Sequence, residues 1–220
     1  MAGARHRAGP ALIATGLLGG SFNPAHGGHR AISLMAMDQL GLDELWWLVS
    51  PGNPLKPKTG MAPLAMRLAS AQAQARRTRI RATAIESSLG TRYTVDTLHA
   101  LVRRHPNRRF IWLMGADNLG QLHQWRDWRS IARLMPIAII ARPGYDGLAR
   151  AAVAMGWLRA FVRPTGQKRH WTKWSPPALV FLRFPPDPRS ATLARVANPD
   201  WHKDFSARTV RDPIMRRALL

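Results

Sequence analysis

The chain has 220 residues, 46% of them hydrophobic, with 17 Gly, 17 Pro and no Cys. That is enough apolar material for one sizeable core and too much for a disordered chain, and it excludes disulfides, thiolate metal sites and cysteine nucleophiles. The 33 Lys and Arg against 12 Asp and Glu leave a formal charge of +21; this field suits an anionic partner such as nucleic acid, nucleotide or pyrophosphate, and an arginine-rich proteome would produce it with no partner.

Apolar runs of strand length alternate with helix-like stretches, the pattern of βαβ units and a parallel sheet. Residues 13–18 read as the first strand, ending in Gly19-Gly20, and 28–40 as a helix with Ile32, Met35, Ala36 and Leu40 on one face and Gly41 as its stop. The second strand, 45–49, runs into a Pro- and Gly-rich loop over 50–58, and Pro63 opens a helix over 62–76. A third strand is expected at 80–85, then a helix at 94–104 with Val95, Leu98, Leu101 and Val102 inward, ended by His105-Pro106. Residues 109–114 read as a buried fourth strand, 115–134 as two short helices, 137–141 as strand five and 147–160 as a helix. A polar loop over 164–177 carries Trp171 and Trp174, strand six follows at 179–184, and a Pro-rich turn leads into the last helical segment. The expectation is an α/β fold with a doubly wound parallel sheet over 13–196, a basic extension at 1–12 and a basic, weakly patterned appendage at 197–220. No run approaches the roughly 18 apolar residues of a membrane span, and the first apolar run is broken by glycines, which argues against a signal peptide and for the cytoplasm.

The run Gly19-Gly20-Ser21-Phe22-Asn23-Pro24-Ala25-His26-Gly27-Gly28-His29 sits where the first strand hands over to the first helix. In an open α/β sheet, ligands bind beyond the carboxyl ends of the strands, where a helix N-terminus offers backbone N–H groups to phosphate. Glycines permit close backbone approach, and two histidines three residues apart lie on one helix face, able to reach one phosphate group. The alternatives are ordinary surface histidines or a metal pair; with no Cys and no acidic residue in the run, metal is poorly supported.

This run resembles the G-G-S-F-N-P-x-H-x-G-H signature of the nucleotidyltransferase superfamily, and specifically the bacterial nicotinate-mononucleotide adenylyltransferases. Further segments match that family in order: 51–56 resembles its P-x-x-P-x-K loop, 92–98 its S-Y-T-x-D-T-L segment with Arg92 in place of Ser, and 110–125 its G-A-D-x-L…W stretch. Residues 190–195 resemble its closing I-S-S-T-x-I-R motif with Ala191 in place of the second Ser; a poorer candidate at 205–211 has Arg208 at the key Thr. The resemblance spans 13–195 and implies a Rossmann-like, HxGH-type nucleotidyltransferase fold.

The resemblance implies transfer of the adenylyl group from ATP to nicotinate mononucleotide, giving nicotinate adenine dinucleotide and pyrophosphate in NAD biosynthesis. Such a transfer needs charge neutralised and oxygens held in line, with no protein nucleophile. It implies His26 and His29 as catalytic residues at the ATP phosphates, with Gly19, Gly20, Ser21, Phe22, Lys56, Ser190, Thr192 and Arg195 in the rest of the ATP site. For the acceptor it implies Trp125 as a stacking face, Tyr93 and Thr94 beside the carboxylate, Asp117 near a ribose hydroxyl and Arg142 as a further anion contact; Asp96 reads as a helix cap, and Trp46, Trp47 and Trp112 as packing. Mg²⁺ is expected to accompany ATP with few protein ligands. Nicotinate and nicotinamide mononucleotide both stay open as acceptors, as does a basic nucleic-acid-binding protein on the same fold; a homo-oligomer is allowed.

Overall fold

The computed structural model describes residues 12–52, 60–141, 146–185, 187–205 and 210–218. Six parallel strands form one sheet: β1 (Ile13–Gly20), β2 (Glu44–Val49), β3 (Ile80–Thr83), β4 (Arg108–Gly115), β5 (Ile137–Ala141) and β6 (Leu179–Arg183). Their spatial order is β3-β2-β1-β4-β5-β6, so the chain winds outward one way from β1 and then returns to start the other way at β4. The neighbours β1 and β4 therefore send their following loops apart, and the crevice between those loops is the place such sheets offer a ligand.

Helices cover both faces. One apolar layer packs α1 (Gly27–Leu40) and α2 (Leu64–Ala75) on the sheet through Ala36, Met37, Leu40, Leu68 and Ala71. The other packs α3 (Ile85–Leu89), α4 (Thr94–Arg104), α5 (Ala116–Gln121), α6 (Trp128–Leu134), α7 (Asp146–Arg150) and α8 (Met155–Leu158) through residues such as Leu98, Leu101, Leu119, Ile131 and Met155. With apolar groups needed on both faces, β4 and β5 are buried nearly end to end, as their unbroken hydrophobic runs require. Gly41 ends α1 at φ 65°, a conformation costly for any residue with a Cβ.

Four details depart from the pattern read in the sequence. Strand three stops at Thr83, because Thr83 Oγ1 accepts from the Ile85 N–H (3.1 Å) and the Asp212 carboxylate accepts from the Ala84 N–H (2.7 Å), taking both out of the ladder and into α3. Val102 is 37% exposed, since it lies to one side of the stripe made by Val95, Leu98 and Leu101. The helix expected over 147–160 is broken between α7 and α8, where Ala152, Met155 and Gly156 turn to tighter i→i−3 bonds. The polar loop is in large part a 3₁₀ helix, Thr165–Lys173, pinned by the fully buried Trp171, whose Nε1–H donates to the Leu40 carbonyl at the end of α1 (3.0 Å).

After β6 come α9 (Ala191–Ala197), a 3₁₀ turn at Trp201–Phe205, and a small antiparallel pair, β7 (Arg211–Asp212) and β8 (Arg217–Ala218). Trp201 is buried, and the buried Asp212 accepts from Thr83 Oγ1, Ala84 N–H, Ile214 N–H and Met215 N–H. No helix among the described residues is long and apolar enough to cross a membrane.

Candidate active site

The loop after β1 is shaped by packing from below. A Cβ on Gly19 would stand 2.7 Å from the Trp112 ring on β4, so only glycine lets β1 run this close. Phe22 follows with φ 47°, a left-handed turn held by its ring, which stacks on Trp47 at 5.1 Å and meets His29 at 4.9 Å. The loop thus folds back over the core and delivers His26 to the start of α1.

There the two histidines cap the helix reciprocally. His26 Nδ1 accepts from the Gly28 N–H at 3.1 Å, and His29 Nδ1 accepts from the His26 N–H at 3.2 Å. The rings lie 3.9 Å apart, tilted by 49°. A neutral imidazole whose Nδ1 accepts carries its proton on Nε2, so both rings present Nε2–H as donor. Behind them the His29 carbonyl accepts from Ser33 Oγ (2.7 Å), which in turn accepts from Trp47 Nε1–H (2.8 Å), locking the helix start to β2.

Beside this loop a cavity opens at the carboxyl ends of β1, β2 and β4. Gly19, Gly20 and Ser21 form one wall, Ser50 and Gly52 another, and Tyr93, Thr94, Asn118 and Trp125 a third. Trp112 lines it from β4 and meets Trp125 edge-on at 6.5 Å; its Nε1–H is buried with no acceptor among the described residues. Arg92 and Arg126 lie 5.8 and 4.7 Å from the Tyr93 ring, bringing two guanidiniums to the rim. Glu86, also in the wall, has its carboxyl pushed up to about 7 by burial, which outweighs the opposing hydrogen bond with Ser50. An aromatic slot rimmed with cations can take a flat, anionic ring.

The segment before and within α9 meets the loop from the other side. Ser190 caps α9 by accepting from the Leu193 N–H (3.2 Å), while Arg195 donates to the Asn23 carbonyl (2.6 Å) and to Thr192 Oγ1 (3.3 Å). Residues 23 and 195 are thereby joined across most of the chain, and Ser190, Thr192 and Arg195 come to the same end of the sheet as His26 and His29.

A family model described as cytidylyltransferase-like matches residues 17–197. A protein of Erythrobacter litoralis named probable nicotinate-nucleotide adenylyltransferase is 58% identical over 209 residues, 95% of each chain. One of Parvibaculum lavamentivorans with the same name is 51% identical over 183 residues, 83% of this chain and 91% of its own. The chain belongs to the cytidylyltransferase-like family, among the nicotinate-nucleotide adenylyltransferases. The fold is also that of the solved Plasmodium falciparum nicotinic acid mononucleotide adenylyltransferase complexed with NaAD, at a TM-score of 0.61 and 16% identity over 83% of this chain and 82% of that one.

In this nucleotidyltransferase the residues expected from the sequence fall into two groups. His26, His29, Gly19, Gly20, Ser21, Phe22, Ser190, Thr192 and Arg195 gather around the β1–α1 loop, and Tyr93, Thr94 and Trp125 line the adjoining cavity. Asp117 stands outside the cavity wall, exposed, with its carboxylate over Gly115, and its neighbour Asn118 lines the wall instead. Lys56 and Arg142 lie outside the described residues. Asp96 makes no cap: α4 has no side-chain cap bond, and Asp96 pairs with Arg126 at 3.6 Å. Trp112 does more than pack, since it floors the cavity. Nothing in the sequence marks Glu86 or Arg126, because each takes its meaning from elements distant in sequence; Arg92 stands out only as a departure from the family pattern.

Proposed function

We propose that the protein transfers the adenylyl group of ATP to the 5′-phosphate of nicotinate mononucleotide, releasing pyrophosphate and forming nicotinate adenine dinucleotide. The observation that carries this reading is the reciprocal histidine cap at the start of α1, which fixes the tautomers of two histidines on the loop adjoining a cation-rimmed aromatic cavity at the β1/β4 switch point. An oxygen of the acceptor phosphate attacks the α-phosphorus of ATP, and the bond to the bridging oxygen breaks, pyrophosphate leaving with the electron pair. Charge gathers on the α-phosphoryl oxygens during that displacement, and donors fixed in advance stabilise it most. His29 and His26 act as those donors, the backbone of Gly19, Gly20 and Ser21 approaches the same centre, and Ser190, Thr192 and Arg195 hold the β- and γ-phosphates. Lys56, between β2 and α2 in the sequence, adds a cation.

The acceptor ring lies against Trp125 over Trp112, with Tyr93 and Thr94 at its carboxylate. The cations at this rim, Arg92 and Arg126, favour the acid over the amide acceptor. Asp117, exposed on α5 beside the wall residue Asn118, serves a ribose hydroxyl, and Arg142 after β5 a further anion contact. Mg²⁺ would accompany ATP as its salt, with few protein ligands. A cytoplasmic location fits ATP as a substrate.

Pyrophosphate release from MgATP tests the reading, with nicotinate mononucleotide, nicotinamide mononucleotide and no acceptor run in parallel. Release with the acid, well above the amide and the blank, is expected. Release with neither nucleotide would refute the reaction, and faster release with the amide would refute the acceptor.

A further inference from the structure

Asp187 and Arg189 lie between β6 and α9, outside every role assigned so far. Arg189 Nε and Nη2 donate to the two carboxylate oxygens of Asp187 at 2.9 and 2.6 Å, and its backbone N–H donates to Oδ1 at 3.0 Å. With those two nitrogens engaged, the third is turned to the first residue of α1: a Cβ built on Gly27 would fall 2.2 Å from Nη1. The Arg189 carbonyl likewise stands 3.3 Å from the Cβ position of Gly28. The bare backbone between His26 and His29 is thus the seat of a guanidinium from the far end of the chain.

The pair is lopsided in its exposure. The Asp187 side chain is 10% exposed and that of Arg189 55%, so the carboxylate is turned in and the cation faces solvent. The hydrogen bonds from Arg189 hold the Asp187 carboxyl well below the usual carboxylate range, so it remains an anion and keeps the fork in place. A planar guanidinium held by one edge and open along the other is suited to a phosphate group.

We propose that Arg189 is a further phosphate-binding residue of the ATP site, laid across Gly27 beside His26 by Asp187 so that its open edge takes the β- or γ-phosphate of the bound nucleotide. This rests on the ATP reading above. Asp187 is then a positioning residue, and Gly27 is glycine because a side chain there would displace the guanidinium.

Calorimetric titration with α,β-methylene ATP, and with AMP as a ligand lacking the outer phosphates, tests this without turnover. In Arg189→Ala, affinity for the ATP analogue is expected to fall about tenfold while AMP binds as to the wild type, with partial recovery in Arg189→Lys. Gly27→Ala should reproduce the loss by pushing the flexible guanidinium aside, and the double variant should be no weaker than either single one. A clamp that only shapes the loop would weaken both ligands alike, and that result, or unchanged binding of the ATP analogue in Arg189→Ala, would overturn the role. Wild-type protein that binds neither ligand would overturn the adenylyl-transfer reading itself and this role with it.

Discussion

A histidine that caps a helix through Nδ1 has its tautomer chosen for it, and both histidines at the start of α1 are in that position. His29→Ala removes the acceptor for the His26 N–H and, in the proposed reaction, a donor at the reacting phosphoryl group. We expect kcat to fall about 10²–10³-fold in the pyrophosphate-release assay, with about 1 kcal/mol of stability lost in thermal unfolding. A kcat within threefold of wild type would place the chemistry elsewhere. Glu86 makes a second prediction at this scale. Its carboxyl titrates at about 7 in the folded protein, whereas an unfolded glutamate titrates near 4.3. Between those values the native state keeps a proton the unfolded state has lost, so stability declines as pH rises through that window and levels off above it. Glu86→Gln should flatten the profile and be more stable than wild type at pH 8, by about 2–3 kcal/mol; parallel profiles for the two proteins would disprove the assignment.

At the scale of elements, the site is held together by α2 although α2 contributes nothing to the cavity wall. Its Arg67, 1% exposed, donates to the carbonyls of Ala62 (2.8 Å), Ser21 (2.8 Å) and Ser50 (2.6 Å), with Pro51 at 3.4 Å. Among the described residues no carboxylate pairs with it, and burial lowers its pKa. One guanidinium thus ties the β1–α1 loop, the end of β2 and the start of α2. Arg67→Met should cost about 3 kcal/mol in urea unfolding, because buried carbonyls lose their donor; a loss under 1 kcal/mol would mean that water replaces it. The helix itself was legible from Pro63 and the apolar period, but nothing in its sequence marks Arg67 among so many arginines.

For the molecule as a whole, the last stretch of chain acts on the first half. Asp212 reaches Thr83 across 129 residues and ends β3 by capturing the Ala84 N–H. Asp212→Ala leaves that N–H and the Thr83 hydroxyl buried without their acceptor, and a loss of about 2–4 kcal/mol is expected. Limited proteolysis should then cut the segment after Trp201 earlier than in wild type; equal melting temperatures and equal cleavage would show the contact to be incidental. That pairing also starts α3, which carries Glu86 into the cavity wall, so the tail bears indirectly on the site.

By itself the sequence determined the β/α alternation, the positions of most strands and the glycine- and histidine-bearing loop between β1 and α1. Those signals are local: an apolar run, a glycine stop and a motif of eleven contiguous residues each report on their own neighbourhood. Tertiary structure alone decided where strand three ends, that residues 165–173 coil around a buried tryptophan, and that Glu86, Trp112 and Arg126 share a wall. It also decided that Arg189 lies on Gly27. The physical reason is the same throughout: burial, an opposing carboxylate or a missing Cβ acts through neighbours far apart in the chain, and no period or motif records which distant residue will fill the space.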